Sequence, residues 1–223
     1  MMTVRHNLEY LLKEIPAGVK LVAVSKTMPA EVILEAYNAG QLRFAENKSQ
    51  ELTSKQPALP QDIKWHFIGH LQTNKVKYIA SFVDMIQSVD SLKLLKEIEK
   101  EASKNTRVID CLLQFHIATE ETKYGLDPDE ATAILNSPEY NECHHIAIRG
   151  VMGMASFSDD QTLVRREFRS LKNIFDRLKN DFFGTDPGFC EISMGMTGDY
   201  KIAIEEGSTI VRIGTAIFGS RIL

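Results

Sequence analysis

Lys26 closes an apolar run, Val19-Lys-Leu-Val-Ala-Val-Ser-Lys26, and is followed by Thr27-Met28-Pro29. A lysine at the tip of a buried strand is badly placed for solubility and well placed to react with a carbonyl. Val22 and Val24 precede it at period two, so a strand here carries the amine inward among apolar neighbours. The amine has a pKa of roughly 10.4 in water, and desolvation or a nearby cation favours its neutral, nucleophilic form. The ordinary alternative is a lysine that snorkels from a strand end.

Two further segments bear on that amine. Ser193-Met-Gly-Met-Thr-Gly198 and Gly214-Thr215-Ala-Ile-Phe-Gly219 both follow strand-like runs and lead toward helical ones. Small residues let backbone N–H groups approach an anion, hydroxyls add donors, and a helix start adds positive potential. Either alone reads as a glycine-containing turn; two on adjacent strands point to a phosphate cradle. Arg212 lies between Val211 and Ile213. If those two face outward, parity turns the guanidinium into the molecule, where it needs an acceptor. A salt bridge is the competing explanation. A lysine that condenses with carbonyls beside a bound phosphate suits pyridoxal 5′-phosphate (PLP), or a class I aldolase acting on a phosphorylated sugar.

These groups must be positioned by a repeating scaffold. An amphipathic segment from roughly Val4 to Ile15 puts Leu8, Leu11, Leu12 and Ile15 on one helical face. Strand-like and helix-like segments then alternate. Strands are expected at Lys20 to Ser25, Leu42 to Ala45, Lys64 to Ile68, Asp84 to Ser88, Arg107 to Ile117, His145 to Met152, Phe189 to Ser193 and Thr209 to Ile213. The intervening helices are expected at Pro29 to Asn38, Ser49 to Lys55, Thr73 to Ser81, Ser91 to Ser103, Pro128 to Leu135, Asp160 to Asn180 and Thr197 to Glu206, with a short one at the end. Repeated βα units imply a parallel sheet, and about eight in this length imply a closed (β/α)8 TIM barrel, with an open sheet as the alternative. In such barrels the site gathers at the C-terminal ends of the strands. Here those ends are Lys26, Asn47, His70, Asp90, His116, Gly153, Ser193 and the Arg212–Thr215 stretch.

Composition narrows the class. The chain has 223 residues, 43% hydrophobic and 25% charged, with a net charge of −4. This describes a globular protein without a nucleic-acid patch. No apolar run reaches the roughly 18 residues of a membrane span, and the N-terminus does not read as a signal peptide. Cys111, Cys143 and Cys190 lack disulfide or metal spacing and read as small apolar fillers, which favours a reducing cytoplasm. His66 and His70 have a helical metal spacing in a segment that is not helical, so no metal is expected.

The motifs together are recognisable. Ala23-Val-Ser-Lys26, Phe44-Ala-Glu-Asn47, Trp65-His-Phe-Ile-Gly-His-Leu-Gln-Thr-Asn-Lys75, Ser193-Met-Gly-Met196 and Val211-Arg-Ile-Gly-Thr-Ala-Ile-Phe-Gly219 closely resemble the pyridoxal phosphate homeostasis protein family. The resemblance runs from about Val19 to Arg221. It implies one PLP-binding domain over residues 1–223, a barrel like the N-terminal domain of alanine racemase with an extra N-terminal helix. It further implies that Lys26 forms the internal aldimine. Ser193, Gly214 and Thr215 match the phosphate-binding positions, Arg212 the arginine near the pyridine nitrogen, and Asn47 and His70 polar positions around the pocket. Lys123-Tyr-Gly125 resembles a loop with a further lysine near the cofactor. The lead-in to the first strand is shorter than in typical members.

An arginine cannot accept a proton, so a ring nitrogen beside it stays unprotonated and the ring is a weaker electron sink than with a carboxylate partner. Alanine racemase-type enzymes add a tyrosine from a separate β domain, and the chain to Leu223 leaves no room for one. The expectation is therefore a non-catalytic carrier that buffers or delivers PLP. Its partners would be PLP, apo-PLP enzymes or free amino acids, with no nucleic acid and no membrane, and it would work as a monomer in the cytoplasm. The alternative is an amino-acid racemase using Tyr124 or His70 as second base.

Overall fold

The computed structural model describes residues 3–119 and 124–219. Among these, eight parallel strands close into a barrel in chain order: β1 (Lys20–Val24), β2 (Arg43–Glu46), β3 (Lys64–Phe67), β4 (Met85–Val89), β5 (Ile109–Phe115), β6 (Ile146–Gly153), β7 (Glu191–Ser193) and β8 (Ile210–Ile213). β8 returns beside β1, with Val22 opposite Arg212 and Ala23 opposite Ile213. That pairing removes the open-sheet alternative. The helices are α1 (Val4–Glu14), α2 (Ala30–Asn38), α3 (Ser49–Lys55), α4 (Leu92–Lys104), α5 (Pro128–Leu135), α6 (Pro138–Asn141), α7 (Gln161–Asp181), α8 (Tyr200–Glu205) and α9 (Thr215–Phe218).

Strand alternation divides the apolar residues into two cores. Leu21, Ala23, Phe44, Trp65, Val211 and Ile213 point outward and pack with helix residues such as Ile33, Leu52, Leu95 and Phe168. Val22, Ala45, Met85, Leu112, Met152 and Ile210 fill the barrel, with Val24, Ile68 and Met154 above them. Arg212 is therefore inward, as parity requires. Gly150 marks a register shift between β5 and β6: a Cβ there would lie 1.8 Å from the Glu191 carbonyl oxygen, so only glycine admits β7 so closely.

Helix starts follow their caps. Ser91 caps α4 by accepting from Leu94 N, Asp160 caps α7, and Asp127 with Glu130 forms a capping box on α5. Asp90, just before the cap, pairs with His70. Several elements differ from expectation. Thr73–Tyr78 is a 3-10 helix rather than an α-helix, and α6 was not foreseen. α8 starts at Tyr200 rather than Thr197, which leaves a longer loop after β7. Leu12 is 52% exposed, because Leu8, Leu11 and Ile15 already fill the face of α1 that meets the barrel. Cys111 is buried and its thiol is pushed up by that burial, whereas Cys190 is exposed and is not a filler. No helix among the described residues is long and apolar enough to cross a membrane.

α1 ties the two ends of the barrel together. Asn7 donates to Ile217 O in α9 (2.9 Å), and Glu14 accepts from Tyr200 Oη (2.5 Å), Lys201 Nζ (3.0 Å) and Tyr10 Oη (2.9 Å). The hydrogen bond from Tyr200, then those from Lys201 and Tyr10, pull the Glu14 carboxyl down to about 2. A folded-state value below the ordinary one stabilises the fold above the ordinary carboxylate range, and that contribution fades as pH falls toward about 2. Glu14→Gln is therefore expected to be less stable than wild type at neutral pH, with the gap narrowing on acidification. Urea denaturation at a series of pH values checks this; a gap that does not change with pH rules it out.

Candidate functional site

The C-terminal ends of the strands enclose a cleft of about 540 Å³. Six of the seven residues singled out from the sequence line it: Lys26, Asn47, His70, Arg212, Gly214 and Thr215. The seventh, Ser193, lies beneath it, fully buried, donating to Gln87 Oε1 (2.7 Å) and accepting from Arg212 Nη1 (2.6 Å). Lys123 lies outside the described residues.

Lys26 leaves β1 on a turn held by buried charge. Lys55 Nζ, from the end of α3, donates to Ser25 O (2.9 Å), Glu46 Oε1 (2.8 Å) and Glu51 Oε1 (2.7 Å). Ser25 Oγ also donates to Glu46 Oε1 (2.7 Å), and Thr27 N donates to Glu51 Oε1 (2.5 Å). The residues on either side of Lys26 are thus fixed to one ammonium and its two carboxylates. Thr27 takes φ +68°, an uncommon conformation for a β-branched residue, and its N–H bond to Glu51 holds it there. Burial pushes the Glu46 carboxyl up against the opposing pull of Lys55 and Ser25, and its Oε2 accepts no hydrogen bond. Glu51, more exposed, is drawn down by Lys55 and the Thr27 N–H despite some desolvation.

Arg212 forms the cleft floor. It is 3% exposed and donates from Nη2 to Gly153 O (3.0 Å) as well as to Ser193. Burial lowers its pKa to about 10, partly offset by Asp199, so it remains a cation at neutral pH. The Ser193 hydroxyl and the Gly153 carbonyl take its hydrogens.

One wall is aromatic and acid–base in character. His70 Nδ1 lies 3.1 Å from Asp90 Oδ2, and its ring stacks on Tyr124 at 4.3 Å and 16°. Gln114 fixes the Tyr124 backbone through a 2.7 Å bond to its carbonyl. The facing wall is made by the loops after β7 and β8, where Met196, Thr197 and Gly198 stand near Gly214 and Thr215. Gly195 has φ +95°, and a Cβ there would lie 2.6 Å from Ala203 Cβ, so the loop needs glycine to turn. Asp199 also borders this wall, and its Oδ1 accepts from Met196 N (2.5 Å). Because α8 and α9 span only six and four residues, backbone N–H groups and threonine hydroxyls, rather than long helix dipoles, are the donors this wall could offer an anion.

Sequence reasoning did not single out Lys55, Glu51, Gln87 or Gln114. The Glu51–Lys55 spacing of i, i+4 was the available signal for the first pair; Gln87 carried none, since β4 otherwise reads as a plain apolar strand. Glu167 is a similar case within the apolar stripe of α7. It is 3% exposed, and its carboxylate accepts from Ser156 N (2.7 Å) and Thr119 N (3.0 Å), fixing the loops after β6 and β5. Among the described residues no group of three His, Cys, Asp or Glu side chains could hold a metal ion.

A closed parallel barrel with an inward amine after its first strand and an inward arginine on its last defines an alanine racemase N-terminal-domain type of protein. The model of that domain family matches residues 1–222. The alanine racemase of Clostridium difficile 630 shares the fold, with a TM-score of 0.79 at 14% identity, covering 99% of this chain and 56% of that one. Closer relatives narrow the group. The pyridoxal phosphate homeostasis protein of Aquifex aeolicus is 43% identical over 204 residues, covering 91% of this chain and 87% of its own length. PipY of Synechococcus elongatus, solved with PLP bound, has a TM-score of 0.86 at 34% identity, covering 97% of this chain and all of that one. The chain belongs to the pyridoxal phosphate homeostasis protein family.

The Lys55 cluster yields a prediction. Lys55→Met removes the ammonium bonded to Glu46, and breaking a buried pair from one side costs about 3–5 kcal/mol. Glu46 would then be raised further, and a raised carboxyl stabilises the fold below its ordinary range and loses that stability as pH rises. The variant should therefore be closer to wild type at mildly acidic pH than at pH about 8. Equal destabilisation at both, measured by urea denaturation, would contradict the assignment.

Proposed function

We propose that this protein holds PLP reversibly on Lys26 and buffers or delivers it, as a single domain acting as a monomer in the cytoplasm. One observation carries the reading: barrel closure puts the Lys26 amine and the Arg212 guanidinium in one cleft, bordered by two threonine-bearing glycine loops. The donor set suits the cofactor. Lys26 would bind it covalently, Arg212 would face its ring, and Gly214, Thr215 and the Thr197–Gly198 turn would hold its phosphate. Ser193 would act on the phosphate side only indirectly, since its hydroxyl is engaged by Gln87 and Arg212. Asn47 and His70 would flank the ring. The homeostasis name of relatives and the PLP bound in PipY support the same reading.

When bound, PLP supplies an aldehyde that condenses reversibly with an amine. A guanidinium at the floor has no basic site to accept a proton and, staying charged at neutral pH, is a poor general acid. That supports storage and exchange with free amino acids or apo-PLP enzymes over turnover. The racemase alternative would recruit the His70–Asp90 pair or Tyr124, both on the cleft wall.

Purified protein incubated with PLP and reduced with borohydride should gain one cofactor mass, located on the peptide carrying Lys26. Lys26→Ala should gain none and lose the visible absorption band. A band and a trapped adduct that persist in Lys26→Ala would reject the assignment. Sustained racemisation of an amino acid by the loaded protein would replace the carrier reading with the enzymatic one.

A further inference from the structure

A buried polar chain crosses the barrel below the cleft. Arg212 Nη1 donates to Ser193 Oγ (2.6 Å), Ser193 Oγ donates to Gln87 Oε1 (2.7 Å), and Gln87 Nε2 lies 2.7 Å from His66 Nδ1. The four residues come from β8, β7, β4 and β3, and each is at most 3% exposed. At its far end His66 borders a second cleft, of about 300 Å³, together with Lys20, Arg43, Asp84 and Asp110. An apolar interior would have been the simpler way to fill this volume, since buried polar groups add stability only when all are satisfied.

The amide orientation of Gln87, with its oxygen toward Ser193 and its nitrogen toward His66, gives the chain one direction from the cation outward. A guanidinium only donates, so Ser193 Oγ must accept from it. The serine hydrogen is then directed at the carbonyl end of Gln87. The amide end must donate to His66, whose Nδ1 must therefore carry no proton. Burial keeps the His66 ring neutral, with its pKa lowered to about 4, so this arrangement holds at neutral pH. With Gly153 O on the other Nη, the guanidinium is anchored at two points on two strands.

We propose that Gln87 and His66 are positioning residues that orient Arg212 at the floor of the cofactor cleft through Ser193. The proposal rests on reading the cleft as a PLP site. Gln87→Leu removes the acceptor for Ser193, releases the serine to rotate, and leaves Arg212 held firmly by Gly153 alone. His66→Leu cuts the chain one bond further away.

The test is a PLP titration followed by absorbance on wild type, Gln87→Leu, His66→Leu, Arg212→Gln and the Gln87→Leu/Arg212→Gln double variant, with melting curves for each. Gln87→Leu should weaken PLP binding about tenfold and shift the visible band, His66→Leu less. In the Arg212→Gln background the Gln87 change should add little, because both act on one group. Folded Gln87→Leu and His66→Leu with wild-type affinity and spectrum would overturn the proposal, as would fully additive effects in the cycle. Should Gln87→Leu fail to fold, His66→Leu carries the same comparison. Hydrogen exchange at the Arg212 guanidinium, followed by NMR without PLP, gives an independent measure. It should quicken in His66→Leu, and unchanged exchange would overturn the proposal. Wild-type protein that binds no PLP would reject the function proposed above, and the exchange measurement would then decide the positioning claim by itself.

Discussion

Closure of the barrel between β1 and β8 is the constraint on which the rest of the site depends. The strands are separated by nearly the whole chain, yet their pairing sets Val22 against Arg212 and Ala23 against Ile213. This register has two consequences. It puts both even-numbered side chains inside, so an amine two residues past Val24 and a guanidinium share one interior. It also stacks the loop after β8 directly over the end of β1, where a Cβ on Gly214 would lie 3.0 Å from Val24 O. A one-residue slip would turn Arg212 out under the helices and bury Val211 in its place. The outward apolar residues Val211 and Ile213 guard against that slip, since each is wholly buried where it stands.

Closure brings the amine and the guanidinium to one place, and two different supports keep them there. The turn carrying Lys26 is held by full charges: one ammonium shared among Ser25 O, Glu46 and Glu51. Such a cluster costs desolvation, visible in the raised Glu46 carboxyl, and what it provides is geometry more than stability. Arg212 is held by hydrogen bonds to a serine and a backbone carbonyl, with a neutral relay behind the serine. A carboxylate partner would neutralise the guanidinium and weaken its pull on anything above it. Hydroxyl and carbonyl oxygens orient it and leave its charge facing the cleft.

The barrel was legible because its signals are local and periodic. β1 and β8 alternate as strands do, α3 and α5 have the bounds their patterns suggest, and caps such as Ser91 and Asp127 mark helix starts. Strand-end residues follow from that count, which is why Lys26, Asn47, His70, Arg212, Gly214 and Thr215 fall together in one cleft. The supporting residues were not legible, because their reasons are long-range. Gln87 is 106 positions from Ser193, its partner, and nothing nearby in the sequence marks the contact. Ser193 ends β7 but does not line the cleft, and its hydroxyl is engaged by Gln87 and Arg212. The start of α8 falls later than its pattern suggests because the chain first turns after Met196, where Asp199 accepts from Met196 N.

The depth of the cleft separates recognition from access. Below lie Arg212, Ser193 and Gln87, nearly or wholly buried and bonded across strands. Above lie Tyr124, Phe157 and Met196, which are 60%, 101% and 39% exposed. An enzyme that stabilises a reactive intermediate gains from excluding water and closing over its cofactor. A carrier needs the opposite combination. On the proposed reading a fixed floor would recognise the cofactor by shape and charge, while the exposed rim would let another amine reach the carbon that Lys26 would hold. On the proposed reading, the exposed rim is as much a part of the function as the buried floor. Sealing that rim would slow exchange without altering any group that binds.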